Sequence, residues 1–337
     1  MPTVYQVPLL LEEQGMRKLL ESTLQLDKII PSPIRVQKGG EIWKTWNKTV
    51  VPKAHLESVN IALVGKYVDL HDAYLSVVKS LEHSAMRCNR KLNLIWVDSE
   101  NLEEKTKISD PTSYHKAWHE VCTASGILVP GGFGSRGTEG MMQAARWARE
   151  RQTPYLGICL GYQVAVIEYA RSVCGLTNAT SEEFDAQAEH RVIIFMPEGS
   201  KDTMGGTMRL GLRSTHFQPG SEYSKLRALY GEVPMIQERH RHRYETNPDY
   251  VETFEKAGLT FIGKDDSGDR MEIFELKDHP WFVGVQYHPE YLSRVLDPSR
   301  PYLGFVAASS GCLEEVTKEL LQEKTNFVNG VVAGTHF

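Results

Sequence analysis

A chain of 337 residues, 41% of them hydrophobic, is long enough to bury a sizeable core, and its length predicts two domains or one large domain with an appendage. The formal net charge of −5 excludes the basic excess of a protein that coats nucleic acid. No run approaches the roughly 18 uncharged apolar residues of a membrane span. Five cysteines without a Cys-x-x-Cys pair, and the lack of a secretory signal, predict a cytoplasmic protein.

The first 57 residues differ in character from the rest of the chain. Leucines at helical spacing between Val7 and Leu26 predict one amphipathic helix. The stretch from Ile29 to Lys53 contains three prolines, a Gly-Gly pair and two tryptophans, which predicts a linker or an extended wrap. This segment is too short to bury a core of its own, so we expect it to pack on a neighbouring surface.

From Val59 onwards, short apolar runs alternate with amphipathic segments. The predicted strands are Asn60–Gly65, Leu92–Val97 and Gly126–Pro130, and the predicted helices are Asp72–Met86, Tyr114–Cys122 and Thr138–Arg151. This alternation predicts an α/β fold in which a mostly parallel central sheet is flanked by helices.

The strongest motif follows the next apolar run, in the sequence PYLGICLGYQ. Cys159 has a glycine two residues before it and another two residues after it, and the amphipathic segment Val164–Val173 follows. Gly-x-Cys-x-Gly between a strand and a helix is the thiol form of a nucleophile elbow, where a Cβ at either glycine would clash. The helix N-terminus favours a thiolate, and the N–H of Leu160 is a candidate oxyanion donor. A cysteine can also be a simple core residue, but the glycine frame favours a nucleophile.

The second half of the chain predicts further strands and a closing helix. The predicted strands are His190–Met196, Met208–Leu212, Pro234–Arg243, Leu259–Gly263, Arg270–Leu276 and Phe282–Tyr287, with a short helix at Tyr223–Tyr230 and a long one at Tyr302–Lys324. The sequence DDSG between two of these strands predicts a hairpin.

A thiol nucleophile needs a base, and the base needs an orienting partner. His288 follows the strand Phe282–Tyr287, with Glu290 two residues further on. Since functional groups gather at the carboxyl ends of parallel strands, His288 is the candidate base for Cys159 and Glu290 its orienting carboxylate. The alternative is an ordinary surface histidine, which the residues alone leave open.

Two other motifs each allow two interpretations. The glycine-rich loop that starts at Gly131 could cradle a phosphate, but it lacks the Gly-Lys-Ser/Thr of a P-loop, and the N–H of Gly132 suits a second oxyanion donor. The run from Arg239 to Arg243 is either a solvated face or a strand with arginines on one side and histidines on the other. In the second case one face could meet a substrate carboxylate.

Five segments together are similar to the glutaminase domain of the CTP synthase family, within the class I (triad) glutamine amidotransferases. They are PGGFGSRGTEG, PYLGICLGYQ, ATSEEFD, ERHRHRYETNP and GVQYHPEYLSR, and MGGTMRLG adds to the resemblance. The resemblance covers roughly residues 60–311. It implies that Cys159, His288 and Glu290 are catalytic, and it places six residues around the substrate: Gly132, Leu160, Gln163, Glu183, Arg243 and Tyr244.

The resemblance also implies partners and cofactors. The family's amidoligase domain uses ATP, Mg²⁺ and UTP, with GTP as activator, and the full-length enzyme is expected to be a homo-oligomer. In this chain VYQVPLLLEEQG resembles the end of that domain, so the chain is expected to be a fragment or a short form that binds L-glutamine but does not itself make CTP. No cofactor or metal is expected in the chain itself.

The predicted domains are residues 1–57 (amidoligase remnant and linker), 58–325 (glutaminase) and 326–337 (tail). Two alternative functions stay open. One is a γ-glutamyl hydrolase of the same architecture, and the other is a regulatory or assembly form that binds full-length chains.

Overall fold

The computed structural model describes residues 3–51, 55–196 and 208–332, with the backbone alone at residue 27 and at residues 323–332. Part of MGGTMRLG, residues 204–207, lies outside this range. The strands are β1 (Ser58–Gly65), β2 (Lys91–Asp98), β3 (Gly126–Val129), β4 (Tyr155–Ile158), β5 (Thr180–Ser181), β6 (Arg191–Phe195), β7 (Arg209–Phe217), β8 (Met235–His242), β9 (Tyr244–Thr246), β10 (Thr260–Lys264), β11 (Met271–Glu275) and β12 (Phe282–Val285).

The helices alternate with these strands in the first half of the chain and then become sparse. The α-helices are α1 (Val7–Glu13), α2 (Met16–Thr23), α3 (Pro33–Val50), α4 (Leu75–Arg87), α5 (Glu104–Ser109), α6 (Pro111–Thr123), α7 (Thr138–Arg151), α8 (Leu160–Ser172), α9 (Lys225–Leu229), α10 (Val251–Lys256), α11 (Arg300–Ser309) and α12 (Leu313–Val332). A 3₁₀ turn at Pro289–Leu292 follows β12.

Within the described residues, nine strands form one sheet in the order β2-β1-β3-β4-β12-β11-β10-β7-β8. The five strands from β2 to β12 in this order run parallel to one another. The remaining strands add antiparallel pairs, including the β10–β11 hairpin predicted from DDSG. The parallel part confirms the predicted α/β class, and it brings the carboxyl ends of β3, β4 and β12 together at one edge.

The core lies in two layers, one on each face of this sheet. One layer packs α6, α7 and α8 against the sheet, with Val121, Met141 and Val164 fully buried. The other layer packs α4, α11 and α12, with Leu81 and Phe305 fully buried. Strands buried on both faces explain the continuous apolar runs of the sequence, such as the fully buried β3 and β4.

Three sequence predictions about helices are wrong. Two predicted helices are each interrupted by a glycine, and one further helix was not predicted. The helix expected over Val7–Leu26 is two helices, α1 and α2, separated by Gly15 at φ 77°. The helix expected over Tyr302–Lys324 is α11 and α12, separated by Gly311 at φ 70°. The segment expected to be a linker or extended wrap contains the 18-residue helix α3, which starts at Pro33, where the missing N–H of proline costs nothing.

The N-terminal segment packs on α4, which agrees with the expectation that a segment too short to bury its own core packs on a neighbouring surface. The hydroxyl of Tyr5 lies 2.6 Å from Nε2 of His83, and the indole N–H of Trp46 donates to the carbonyl oxygen of Tyr5. α12 continues to Val332, so the predicted tail overlaps this helix, and residues 333–337 lie outside the described range. In the described part of the chain, the helices are too short or too polar to cross a bilayer.

Candidate active site

The nucleophile elbow lies between β4 and α8. Cys159 has φ 52° and ψ −99°, a backbone conformation that residues other than glycine rarely adopt. This conformation lifts the thiol above the sheet edge. A Cβ on Gly157 would lie 2.6 Å from the carbonyl oxygen of Gly161, and a Cβ on Gly161 would overlap the carbonyl oxygen of Val129. Both flanking glycines are therefore required by close backbone packing, as the sequence predicted.

His288 and Glu290 lie at the end of β12, the parallel neighbour of β4. Nδ1 of His288 is 2.7 Å from Oε1 of Glu290. The backbone N–H of Cys159 donates to the carbonyl oxygen of Val285, which ties the elbow to the end of β12. The structure thus brings Cys159, His288 and Glu290 to one edge of the sheet.

The electrostatics of this edge favour a charged imidazole. Burial alone would lower the pKa of His288, but the charges of Glu290 and Cys159 outweigh it and raise the pKa to about 11. Glu290 is itself 8% exposed, so its interaction with the imidazolium is poorly screened by water.

The glycine-rich loop after β3 approaches both reactive side chains. A Cβ on Gly131 would lie 2.9 Å from Cε1 of His288 and 3.5 Å from Cβ of Cys159, whereas one on Gly132 would meet Cδ2 of Leu160 at 3.2 Å. Oε1 of Glu183 accepts the N–H of Gly134 at 2.9 Å. The loop predicted to hold an oxyanion donor is therefore in contact with the site.

Lys66 holds the same loop from the end of β1, and the sequence analysis missed it. Its ammonium donates to the carbonyl oxygens of Phe133, at 3.1 Å, and Gly134. Burial lowers the pKa of Lys66 to about 8. Its position directly after a buried parallel strand is the signal that could have found it.

The strand β8 runs along the other side of the site. The carbonyl oxygen of Arg239 accepts the backbone N–H of His288 at 2.7 Å, and that of Arg241 lies 3.9 Å from Sγ of Cys159. The side chains of Arg239 and Arg241 are exposed, whereas His240 and His242 are buried. The predicted two-faced alternation is therefore confirmed from Arg239 to His242, whereas Arg243 lies beyond the end of β8 and is half-buried.

The remaining predicted residues are placed by contacts with α8 and with the segment after β8. Gln163, one turn into α8, donates from Nε2 to the carbonyl oxygen of Tyr244 at 2.9 Å. Arg243 lies between β8 and β9, where its carbonyl oxygen accepts the N–H of Met196. The contacts tie Gln163 and Tyr244 to each other and connect Arg243 to the site through the backbone of β8.

Gln286 is the second residue that the sequence analysis missed. Its Nε2 lies 3.7 Å from Sγ of Cys159, and its Oε1 is 3.2 Å from Nε2 of Gln163. In the strand predicted from the sequence, Phe282–Tyr287, alternation directs residue 286 to the same side as the following residue 288, so its position relative to His288 is a signal that could have found it. Among the described side chains, no group of three metal-ligand types is arranged to hold a metal ion.

The fold agrees with the comparisons to known proteins. The family described as Glutamine amidotransferase class-I matches residues 69–308, which include the elbow, the glycine-rich loop and the His-Pro-Glu turn. The chain therefore belongs to the class I glutamine amidotransferases.

Within that class the similarity extends over the whole chain to the CTP synthases. The chain is 72% identical over its full length to CTP synthase of Neurospora crassa and covers 58% of that protein. It is 60% identical to CTP synthase of Schizosaccharomyces pombe over 93% of the chain and 52% of that protein. The chain thus spans somewhat more than half the length of these relatives.

A solved structure shows which part of those relatives the chain represents. The Trypanosoma brucei CTPS glutaminase domain with bound acivicin is 38% identical, with a TM-score of 0.69, and the match covers 75% of this chain and 94% of that domain. The chain contains the glutaminase domain of the CTP synthase family, as its sequence motifs predicted.

Proposed function

We propose that this chain hydrolyses the side-chain amide of L-glutamine to glutamate and ammonia. Cys159 is the nucleophile, His288 the general acid and base, and Glu290 the residue that orients His288. One observation carries the proposal. Cys159, in a strained backbone conformation, and the His288–Glu290 pair follow two adjacent parallel strands and lie at the same edge of the sheet.

The raised pKa of His288 defines the resting state of the reaction. A histidine with a pKa of about 11 holds its proton at neutral pH, so His288 meets the substrate as an imidazolium. Cys159 attacks as a thiolate, because that is the nucleophilic form of a cysteine. The thiolate attacks the carboxamide carbon, and His288 gives its proton to the leaving nitrogen, so that ammonia departs and a thioester remains. Water then passes a proton to His288 and attacks the thioester, which releases glutamate and restores the pair.

The negative oxygen that develops during both steps needs donors that are already in place. The N–H groups of Leu160 and Gly132 are our candidates, because Leu160 is the first residue of α8 and Gly132 lies against its side chain. The helix N-terminus adds a favourable dipole at the same position.

The polar groups of the substrate backbone need partners further from the sulfur. We assign Gln163, Glu183, Arg243 and Tyr244 to this part of the pocket. Glu183 is suited to the α-amino group and Arg243 to the α-carboxylate, because an opposite charge gives the strongest hydrogen bonds to each.

The released ammonia is proposed to serve an amidoligase that converts UTP to CTP in the longer protein. The names of the relatives and the 58% coverage of the N. crassa protein support this proposal. That domain would bind ATP, Mg²⁺ and UTP, with GTP as activator, in a homo-oligomer, and the present chain would supply only the ammonia.

The test is release of ammonia and glutamate from L-glutamine by the purified chain, with Cys159→Ala alongside. Cys122→Ala is the matched control, since Cys122 is an exposed thiol away from the site. We expect release by the wild type and by Cys122→Ala, and none above background by Cys159→Ala. Equal release by the wild type and Cys159→Ala would refute the mechanism.

Two further measurements separate the other candidate functions. Cleavage of γ-glutamyl peptides in preference to glutamine would indicate a γ-glutamyl hydrolase. For an assembly role, the wild-type chain is mixed with a full-length CTP synthase that lacks its own nucleophile. Association of the two in light scattering, without release of ammonia, would indicate that role. Acivicin, bound in the trypanosomal domain, is a suitable ligand for a binding assay.

A further inference from the structure

We propose that Gln286 is a catalytic residue whose side-chain N–H donates to the sulfur of Cys159 and stabilises its thiolate. This inference rests on the proposed role of Cys159 as the nucleophile. The two residues are placed by neighbouring parallel strands, with Cys159 after β4 and Gln286 after β12, and their side chains are 3.7 Å apart.

The orientation of the Gln286 amide follows from a chain of hydrogen bonds that begins at a backbone carbonyl. The carbonyl oxygen of Tyr244 can only accept, so Gln163 must direct its NH₂ group toward it, at 2.9 Å. The same NH₂ group lies 3.2 Å from Gln286, which must therefore present its oxygen there. The nitrogen of Gln286 is left facing Sγ of Cys159.

This chain of contacts is also held rigidly at both ends. The carbonyl oxygen of Tyr244 lies 3.0 Å from Nδ1 of His242, whose Nε2 lies 3.1 Å from Nδ1 of His240. The backbone N–H of Gln286 donates to the carbonyl oxygen of Glu272 at 2.9 Å. Gln286 is 1% exposed, so its amide cannot rotate into water.

Besides the imidazole of His288, two groups of opposite polarity lie near the sulfur. The carbonyl oxygen of Arg241, 3.9 Å away, can accept from the thiol but repels a thiolate. The N–H of Gln286 attracts the thiolate and so offsets this repulsion. Because a hydrogen bond to an ion is stronger than one to a neutral group, the interaction favours the form of sulfur that attacks the substrate. It also favours departure of the sulfur when the thioester is hydrolysed.

The sharpest variant is Gln286→Glu, which keeps the shape and the oxygen that faces Gln163 while replacing the donor at the sulfur by an oxygen. Gln286→Met is the second variant, because it removes both polar atoms without adding charge. Gln237→Glu is the matched control, since Gln237 lies on the exposed face of β8. Thermal melting establishes that each variant is folded.

The primary readout is the pH dependence of Cys159 alkylation by iodoacetamide, followed by mass spectrometry of the Cys159 peptide. We expect the midpoint to move upward by about one pH unit or more in both Gln286 variants and to stay in place in the control. Glutamine turnover should fall about tenfold to a hundredfold through kcat, with a smaller change in KM.

The outcomes separate this proposal from the proposed function. An alkylation profile of either folded Gln286 variant that coincides with the wild type would overturn the role of Gln286, whatever the turnover. A shifted profile in a chain that releases no ammonia would uphold the contact between Gln286 and the sulfur while refuting glutaminase activity.

Discussion

Nδ1 of His288 and Oε1 of Glu290 are 2.7 Å apart in a buried environment, and this contact fixes how the imidazole can act. A carboxylate accepts, so Nδ1 carries a proton, and Nε2, on the opposite side of the ring, is directed away from Glu290. We expect Glu290→Gln to lower kcat by about 10²–10⁴-fold, less than the roughly 10⁶-fold expected on loss of the nucleophile. Steady-state ammonia release by Glu290→Gln and Cys159→Ala tests this order, and an unchanged kcat in Glu290→Gln would contradict it.

The same contact predicts how stability depends on alkaline pH. Folded His288 keeps its proton up to about pH 11, whereas an unfolded histidine loses it near its usual pKa of about 6.5. The folded state therefore binds more protons between these values. The stabilisation is complete below about pH 6.5 and is lost as the pH rises toward 11.

Glu290→Gln should flatten that decline, because it removes a charge that raises the pKa of His288. The free-energy difference between wild type and variant should shrink by up to about 1.4 kcal/mol for each pH unit above 6.5. Urea unfolding of both proteins between pH 6 and pH 9 measures this. A difference that is independent of pH would show that Glu290 does not stabilise the imidazolium.

The histidines of β8 predict the opposite behaviour in acid. Burial lowers the pKa of His242 to about 3, so the unfolded chain binds more protons between pH 3 and about 6.5. Stability from this residue is present above pH 6.5 and is lost as the pH falls toward 3. Burial raises the pKa of Glu272 to about 7, so this carboxyl makes the folded state more stable as the pH falls from 7 to 4.5. The contribution of His242 is therefore measured as the difference in stability between the wild type and a His242 variant.

His242→Gln provides that difference, since a glutamine can still donate to the carbonyl oxygen of Tyr244 and accept from His240. We expect the variant to be less stable than wild type by about 1 kcal/mol at pH 8, where one hydrogen bond is weakened. The two stabilities should become equal near pH 6, and by pH 5 the variant should be the more stable by about 1 kcal/mol. Chemical unfolding followed by tryptophan fluorescence gives both curves, and parallel curves would refute a buried neutral His242.

Gly131 predicts a defect in catalysis without a defect in folding. A Cβ at this position would press on Cε1 of His288 at 2.9 Å, closer than normal packing allows, so the imidazole must shift. We expect Gly131→Ala to lower kcat by about tenfold or more, because displacement of a catalytic group by a fraction of an ångström is costly. Gly40→Ala in the exposed helix α3 is the control, since a Cβ there has open space. Turnover and melting temperature are measured together, and full activity in Gly131→Ala would contradict the contact.

The sequence carries different amounts of information about different parts of this chain. The elbow around Cys159 was predictable, because Gly157 and Gly161 are required by backbone contacts that any strand-to-helix elbow makes. The buried strands were predictable for a similar reason, since apolar runs bounded by glycine and proline allow few other structures.

The rest depended on contacts between distant segments. The helix α3 was missed because the flanking prolines and its own Gly-Gly pair oppose a helix locally, and the start at Pro33 was not recognised. Gln286 was missed because a buried glutamine acquires a role only when Cys159 and Gln163, more than 120 residues away in sequence, fold against it. Residues that act through side-chain hydrogen bonds between strands leave no periodic pattern in the sequence.

Arg243 predicts a defect in binding rather than in turnover. It is assigned to the α-carboxylate of glutamine, a group that does not react, and its backbone follows the strand whose carbonyl oxygens contact His288 and Cys159. An interaction that is equal in the ground state and the transition state changes KM and leaves kcat largely intact. We expect Arg243→Met to raise KM for glutamine by about tenfold to a hundredfold, the cost of one charged hydrogen bond. Arg239→Met, on the exposed face of β8, is the control. Initial rates over a wide range of glutamine concentration separate kcat from KM. A loss confined to kcat in Arg243→Met would place Arg243 in the chemistry and not in recognition of the substrate.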